Sequence, residues 1–192
     1  MKNRFYVIAA VALVVFFTAC SKSNTAPTVV PAYSSTQTLT VNFSTTKPFA
    51  FFAFKDSSIV VNSDSATAKW DFGLRFTNFL VNSNASGPGN AGVIMQDGVF
   101  ANLNTAPSTG YAYDTTSAKL AIKDGSWYDY NVLTHSFVPK AGKVFFFKTA
   151  DGAHYAKMQL LAVDYAPFTG PAPSQLLYKF QYVYQPSGST NF

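Results

Sequence analysis

Alternation of apolar and polar residues is the dominant pattern of the chain from about residue 38 onward. Residues 39–43 and 70–76 alternate strictly, which predicts half-buried strands because successive side chains of a strand point to opposite faces. No segment carries a helical period over ten residues. The pattern therefore predicts an all-β protein, a single antiparallel β-rich domain. The other predicted strands are residues 49–54, 59–61, 93–95, 119–122, 127–130, 143–149, 154–165 and 175–184.

Two features of this pattern predict how the strands are arranged. Asp151 and Gly152 separate two apolar strands and form the strongest hairpin signal in the sequence. The last strand places its largest apolar residues at alternate positions, so one face of it is expected to lie in the core. These residues are Leu176, Tyr178, Phe180, Tyr182 and Tyr184.

The stretch at residues 87–92 reads GPGNAG and matches the dinucleotide-binding pattern G-x-G-x-x-G. That motif requires a helix after the loop, because the helix N-terminus supplies the N–H groups that hold the pyrophosphate. Here Val93 begins a short apolar run that ends at the turn dipeptide Asp97-Gly98. We therefore interpret the stretch as a glycine-rich connection between two strands.

The N-terminus has the pattern of an export signal. Lys2 and Arg4 precede a run of thirteen apolar residues, which is too short to span a bilayer, and small residues lead to the single cysteine, Cys20. This arrangement resembles a bacterial lipobox with an acylated cysteine. The predicted division is a signal peptide at residues 1–19, a Ser-, Thr- and Pro-rich tether at 20–36 that carries the lipid on Cys20, and a β domain at 37–192.

Composition agrees with this division and narrows the possible partners. All nine acidic residues are Asp, and the chain has nineteen Phe and eleven Tyr, which favours strands and turns over helices. Twelve of the fourteen basic residues follow the signal, so the mature charge is +3 and is scattered. This balance indicates neither nucleic-acid binding nor a polybasic membrane patch. A domain without further cysteine has no disulfide to stabilise it.

Motifs of catalysis are missing from the sequence. There is no G-x-S-x-G elbow and no Walker loop, and His135 and His154 are not spaced like a zinc site. Asp124 and Asp151 each precede a glycine, which is a typical turn position. We therefore expect a binding protein and not an enzyme.

The remaining chemistry is that of axial ligands for a flat, apolar cofactor. Haem iron accepts imidazole nitrogen or thioether sulfur, and a porphyrin needs an aromatic-lined cleft. The haem-ligand candidates are His135, in a predicted loop between strands, and Met95, just after the glycine-rich connection. Each also has a structural interpretation, His135 as a loop residue packed on Pro139 and Met95 as a core residue. Met158 is expected in the core and His154 at a surface turn.

Several motifs occur in an order that resembles the HmuY-like family of Bacteroidetes lipoproteins. The resemblance extends over about residues 38–186, nearly the whole mature domain. No single motif is decisive, but the ordered set is fairly specific. The matching segments are 70–71, 77–78, 82–93, 107–111, 125–128, 139–147, 149–152, 156–159 and 178–184.

The resemblance implies a hand-shaped all-β fold and a role in iron acquisition, namely capture of haem for delivery to a TonB-dependent outer-membrane receptor. The best-studied members hold the iron with two side chains, paired His in some and Met in others. Here the segment matching the first ligand, residues 113–124, has no His or Met. The position matching the second ligand is near Val132, three residues before His135.

The expected function is thus capture of haem or a porphyrin by a protein lipid-anchored to the outer membrane, on its periplasmic or its surface side. The alternative is a lipoprotein of the same fold that binds a carbohydrate or a partner protein without haem. In that case exposed Tyr and Trp rings would provide flat contacts.

Overall fold

The computed structural model describes residues 31–43, 46, 48–167 and 173–192. The predicted signal peptide and Cys20 lie outside these residues. No helix within these ranges is long and apolar enough to cross a membrane. The described part contains eleven strands and one short 3-10 turn at Asn62–Asp64. The strands are β1 (Tyr33–Asn42), β2 (Ala50–Ala53), β3 (Ser58–Val60), β4 (Phe72–Arg75), β5 (Asn78–Val81), β6 (Gly92–Asp97), β7 (Tyr128–Asn131), β8 (Ser136–Pro139), β9 (Lys143–Lys148), β10 (Tyr155–Tyr165) and β11 (Gln175–Gln185).

The strands form three antiparallel sheets, which confirms the all-β prediction. A five-stranded sheet has the order β1-β11-β10-β9-β6, and a four-stranded sheet has the order β3-β2-β4-β5. The hairpin of β7 and β8 is a separate two-stranded sheet. The turn at Asp151 and Gly152 joins β9 to β10 as predicted, with Tyr155 opposite Lys148.

Aromatic rings fill the space between the two larger sheets. Phe52 of β2 lies 5.0 Å from Phe180 of β11, and Phe72 of β4 lies 5.7 Å from Phe147 of β9, measured between ring centroids. Every residue of the predicted β11 face is at most 2 % exposed. The alternation of the last strand therefore identified the centre of the core. Met158 is fully buried in the same core, as expected.

The strands differ from the predictions in several places. β1 begins at Tyr33, four residues before the expected domain start at 37, because polar Ser and Thr residues pair with β11 through their backbones. Residues 119–122 are not a strand; the Asp114 carboxylate accepts the Ala121 N–H at 2.7 Å and holds the segment as a loop. β5 and β8 were not among the predicted strands, because neither Asn78–Val81 nor Ser136–Pro139 shows an alternation of apolar and polar residues.

The GPGNAG stretch is a connection between β5 and β6, as interpreted from the sequence. It wraps around the buried side chain of Asn82, whose amide nitrogen donates to the carbonyls of Trp70 and Thr67 at 2.7 and 2.9 Å. The Asn82 side-chain oxygen accepts the Gly89 N–H at 2.9 Å. A Cβ atom at Gly87 would lie 2.9 Å from the Trp70 ring, so the close approach requires glycine there. These glycines allow tight packing against Asn82 and Trp70 and do not cradle a phosphate.

Asp71 joins the two larger sheets from a fully buried position. One of its carboxylate oxygens accepts the Phe54 N–H at 2.8 Å and the other accepts the Ala150 N–H at 2.7 Å. Desolvation by burial raises the pKa of Asp71 to about 6, although the two backbone hydrogen bonds oppose the rise. This carboxylate is therefore a structural link between β2 and the β9–β10 turn.

The raised pKa of Asp71 predicts a pH dependence of stability. The folded state keeps the Asp71 proton up to about pH 6, whereas an unfolded Asp releases it near its ordinary value of 3.8. Unfolding between these values releases a proton, so the contribution of Asp71 to the free energy of unfolding falls as pH rises, by about 3 kcal/mol in total. We expect the carboxyl carbon of Asp71 to titrate near pH 6 in carbon-13 NMR.

Asp151 is the internal control for that titration. Desolvation acts on it as well, but hydrogen bonds from Ala153, Thr149 and His154 outweigh it and lower the pKa of Asp151. Its carboxyl carbon should titrate below the ordinary Asp value in the same spectra. An Asp71 midpoint at or below the ordinary value would contradict the prediction.

Candidate functional site

An apolar cleft of about 300 Å³ opens beside the β7–β8 hairpin. Its walls come from the loop after β1, the β4–β5 turn, the hairpin itself, the end of β10 and the start of β11. Aromatic rings make up most of the lining, which suits a flat apolar ligand. The lining residues used below are Phe43, Phe76, Phe137, Tyr165 and Leu176, with Tyr130 and His135 from the hairpin.

Tyr165 of β10 fixes the hairpin against the core. Its hydroxyl accepts the Phe137 N–H at 2.7 Å and donates to the Phe137 carbonyl at 3.1 Å. The Phe137 ring packs edge-on against Trp127 with centroids 5.8 Å apart, and its centroid lies 6.3 Å from that of Tyr178. One phenol therefore holds both backbone groups of a residue that closes the cleft.

The β4–β5 turn forms the facing wall and is held in the same manner. Phe76 has a φ of +52°, and the Tyr178 hydroxyl donates to its carbonyl at 2.6 Å. The Phe43 and Phe76 rings meet edge-to-face, with centroids 4.3 Å apart. Burial raises the pKa of Tyr178 and of Tyr165, so both phenols stay neutral and keep their donor protons. The walls of the cleft are thus fixed by hydrogen bonds between tyrosine hydroxyls and the backbone.

His135 lies in the β7–β8 turn with a φ of +51°, and its side chain is exposed. Its Nδ1 is 3.0 Å from the Tyr130 hydroxyl. Nε2 has no hydrogen-bond partner among the described residues. When Nδ1 carries the proton and donates to Tyr130, the lone pair of Nε2 is available to a metal, which is the usual arrangement of a ligating imidazole. The structure therefore places this predicted ligand at the cleft with one nitrogen accessible.

Met95 is not at this site. It lies in β6, half-buried against the main core and in register with Phe145, and it does not line the cleft with His135. His154 is at the β9–β10 turn, where its Nδ1 pairs with the Asp151 carboxylate at 2.6 Å. No group of three or more His, Cys, Asp or Glu side chains suited to a metal occurs in the part of the chain that the structure describes.

Sequence reasoning missed Tyr130 and Tyr165. Both occur in predicted strands, where alternation indicates which face a residue occupies but not which other element that face meets. Tyr165 meets Phe137 across 28 residues of sequence. The only available signal was the aromatic composition of residues 127–130, which include Trp127, Tyr128 and Tyr130.

The hydroxyl of Tyr165 gives a direct test of how the cleft is held. In Tyr165→Phe both hydrogen bonds to Phe137 are lost, so the free energy of unfolding should fall by about 1–3 kcal/mol. Amide hydrogen exchange at Phe137 should accelerate as well. Tyr128→Phe is the matched control, because its hydroxyl donates to Asp124 in an exposed hydrogen bond and makes none to Phe137, so a change within about 0.5 kcal/mol is expected. Equal effects of the two substitutions would show that Tyr165 does not hold the hairpin.

Comparison with known proteins does not identify a family for this chain. No family model matches the chain, and no curated protein matches it either. Among solved structures it is similar to PinO from Porphyromonas in its apo form, with 15% sequence identity and a TM-score of 0.44. That match covers 81% of this chain and 98% of PinO. A likeness at this level is too weak to transfer a family or a function.

Proposed function

We propose that this protein is a lipid-anchored extracytoplasmic binding protein that captures haem or a related porphyrin in the aromatic cleft. The observation that carries the proposal is the position of His135, whose unpartnered Nε2 lies at the rim of a cleft lined by aromatic rings. A porphyrin requires this combination of a flat apolar surface and a nitrogen ligand.

The size of the cleft limits how the ligand would sit. At about 300 Å³ it is at the lower end of the ~300–1,000 Å³ that is usual for ligand sites, so it would hold one edge of a porphyrin. The β7–β8 hairpin also exposes Val132, Leu133 and Val138, which are 69, 89 and 54% accessible. Such apolar side chains would cover the part of the ring that projects from the cleft. His135 would be the protein's axial ligand, and Met95 would not contribute one.

The anchor and the uptake system complete the proposal. Acylation of Cys20 would attach the protein to the outer membrane, and the chain from Cys20 to Tyr33 would serve as the tether. A TonB-dependent receptor is the partner that would accept the ligand. The exposed hairpin residues also support the second candidate, in which this surface contacts a partner protein and no haem is bound.

Haemin titration tests the proposal. The purified protein without residues 1–20 should give a saturable Soret shift, and His135→Ala should abolish it or weaken binding at least about tenfold, because the iron loses its nitrogen ligand. His154→Ala is the matched control, since His154 is paired with Asp151 and does not line the cleft. Met95→Leu should also leave the spectrum unchanged.

Each outcome of the titration discriminates between the candidates. No saturable shift with the unmodified protein would overturn haem capture and leave the partner-protein candidate. A shift that is unchanged in His135→Ala would remove His135 as the ligand. A shift lost only in Met95→Leu would contradict the position of Met95 in the core.

A further inference from the structure

A second concavity of about 490 Å³ lies between the glycine-rich connection and the β9–β10 turn. It is separate from the aromatic cleft and shares no lining residue with it. Its lining is mostly polar and combines amide, hydroxyl and charged groups around one aromatic ring. The residues that matter are Ser83, Asn84, Asn90, Tyr113, Lys148 and Asp151.

The ring of Tyr113 is an exposed flat surface at the edge of this concavity. Tyr113 is 39% accessible, and its ring lies close to Gly92 at the start of β6. A Cβ atom at Gly92 would lie 2.9 Å from Cε1 and 3.0 Å from Cζ of the Tyr113 ring. Glycine at this position therefore leaves room for the ring beside the strand, and part of the ring is open to solvent.

The polar groups around the ring lack protein partners. The side-chain amides of Asn84 and Asn90, the Lys148 ammonium and the Tyr113 hydroxyl make no hydrogen bond or ion pair with any described residue. Each amide offers two donors and one acceptor oxygen, and the ammonium offers three donors. Asp151 differs, because its carboxylate is occupied by Thr149, Ala153 and His154.

The backbone that carries these groups is held in place. Ser83 and Asn90 form an antiparallel bridge, and the Asn90 N–H donates to the Ala150 carbonyl at 2.8 Å. The Ser83 hydroxyl accepts the Asp114 N–H at 3.1 Å. Asn84 has a φ of +46°, a left-handed conformation that Asn tolerates better than most residues. Preorganised groups of this kind bind a ligand at a lower entropic cost.

We propose that this concavity is a saccharide-binding site. A pyranose has an apolar C–H face, which would stack on the open side of Tyr113, and a rim of hydroxyl groups, which would pair with the amides of Asn84 and Asn90. The Lys148 ammonium would donate a hydrogen bond to a hydroxyl oxygen of a neutral sugar, or pair with the carboxylate of a uronate. The site does not depend on haem and stands whether or not the aromatic cleft binds a porphyrin.

Titration calorimetry with defined oligosaccharides tests the proposal. The mature protein would be titrated with maltohexaose, xylohexaose and mannohexaose as neutral probes, and with tetragalacturonate and tetramannuronate as acidic ones. We expect at least one probe to bind with Kd below ~1 mM. Tyr113→Ala should weaken that binding about tenfold, whereas Tyr113→Phe should retain most of it because the stacking ring remains.

Further variants test whether the site prefers acidic or neutral sugars, and melting temperatures show whether each variant is folded. Lys148→Gln should weaken acidic probes much more than neutral ones, and Lys123→Gln, an exposed lysine outside the concavity, is the matched control for charge. Melting temperatures of all variants would be compared with that of the unmodified protein. Haemin binding should be unchanged in Tyr113→Ala, so failure here and failure of haem capture are distinguishable.

Two results would overturn the proposal. One is the absence of binding by all five probes at a Kd of ~1 mM or tighter. The other is binding that Tyr113→Ala leaves unchanged while that variant remains folded, because the sugar would then lie elsewhere.

Discussion

The packing of aromatic rings between the two larger sheets is the interaction on which the rest of this structure depends. The described domain contains no cysteine, so the buried rings must supply most of the stabilisation. Rings such as Phe52, Phe72 and Phe147 meet at centroid distances of 5–6 Å, at which tilted and edge-on aromatic pairs are favourable. The strongly apolar β9 and the alternating β11 supply many of these rings, and both patterns can be seen in the sequence.

The aromatic cleft is a continuation of that layer beyond the edge of the four-stranded sheet. Tyr178 belongs to the buried face of β11, yet its hydroxyl reaches the Phe76 carbonyl in the cleft wall. Phe137 contacts Tyr178 on one side and lines the cleft on the other. The same rings therefore belong to both the core and the lining of the cleft. Among the described residues that line the cleft, Tyr130 and His135 of the hairpin are exposed, whereas Phe43, Phe76 and Tyr165 are half-buried.

The sequence predicted the fold class and the core strands because both depend on local patterns. Alternation in β11 and the Asp-Gly turn before β10 are readable from neighbouring residues alone. β1 was recognised only from about residue 38 because its first residues, Ser34, Ser35 and Thr36, pair through the backbone and carry no apolar signal. At the candidate site, His135 was predicted as a haem ligand because imidazole nitrogen binds haem iron. The sequence could not show that Met95 faces Phe145 in another part of the core, since that follows from the β6–β9 register.

The buried ionisable groups among the described residues, Asp71, Asp114 and Lys157, are bonded to the backbone. Lys157 is 3% exposed, and its ammonium donates to the carbonyls of Phe100 and Leu103, both at 3.0 Å, and to the Asn104 side chain. Asp71 and Asp114 are likewise buried and occupied by backbone N–H groups. Each of these groups holds a loop or a turn from a buried position. The groups with free capacity are exposed and lie beside an aromatic surface, His135 at the cleft and the amides near Tyr113. Shifted pKa values therefore occur at the groups that hold the fold together. Unpartnered polar groups next to accessible rings occur instead at the two candidate sites.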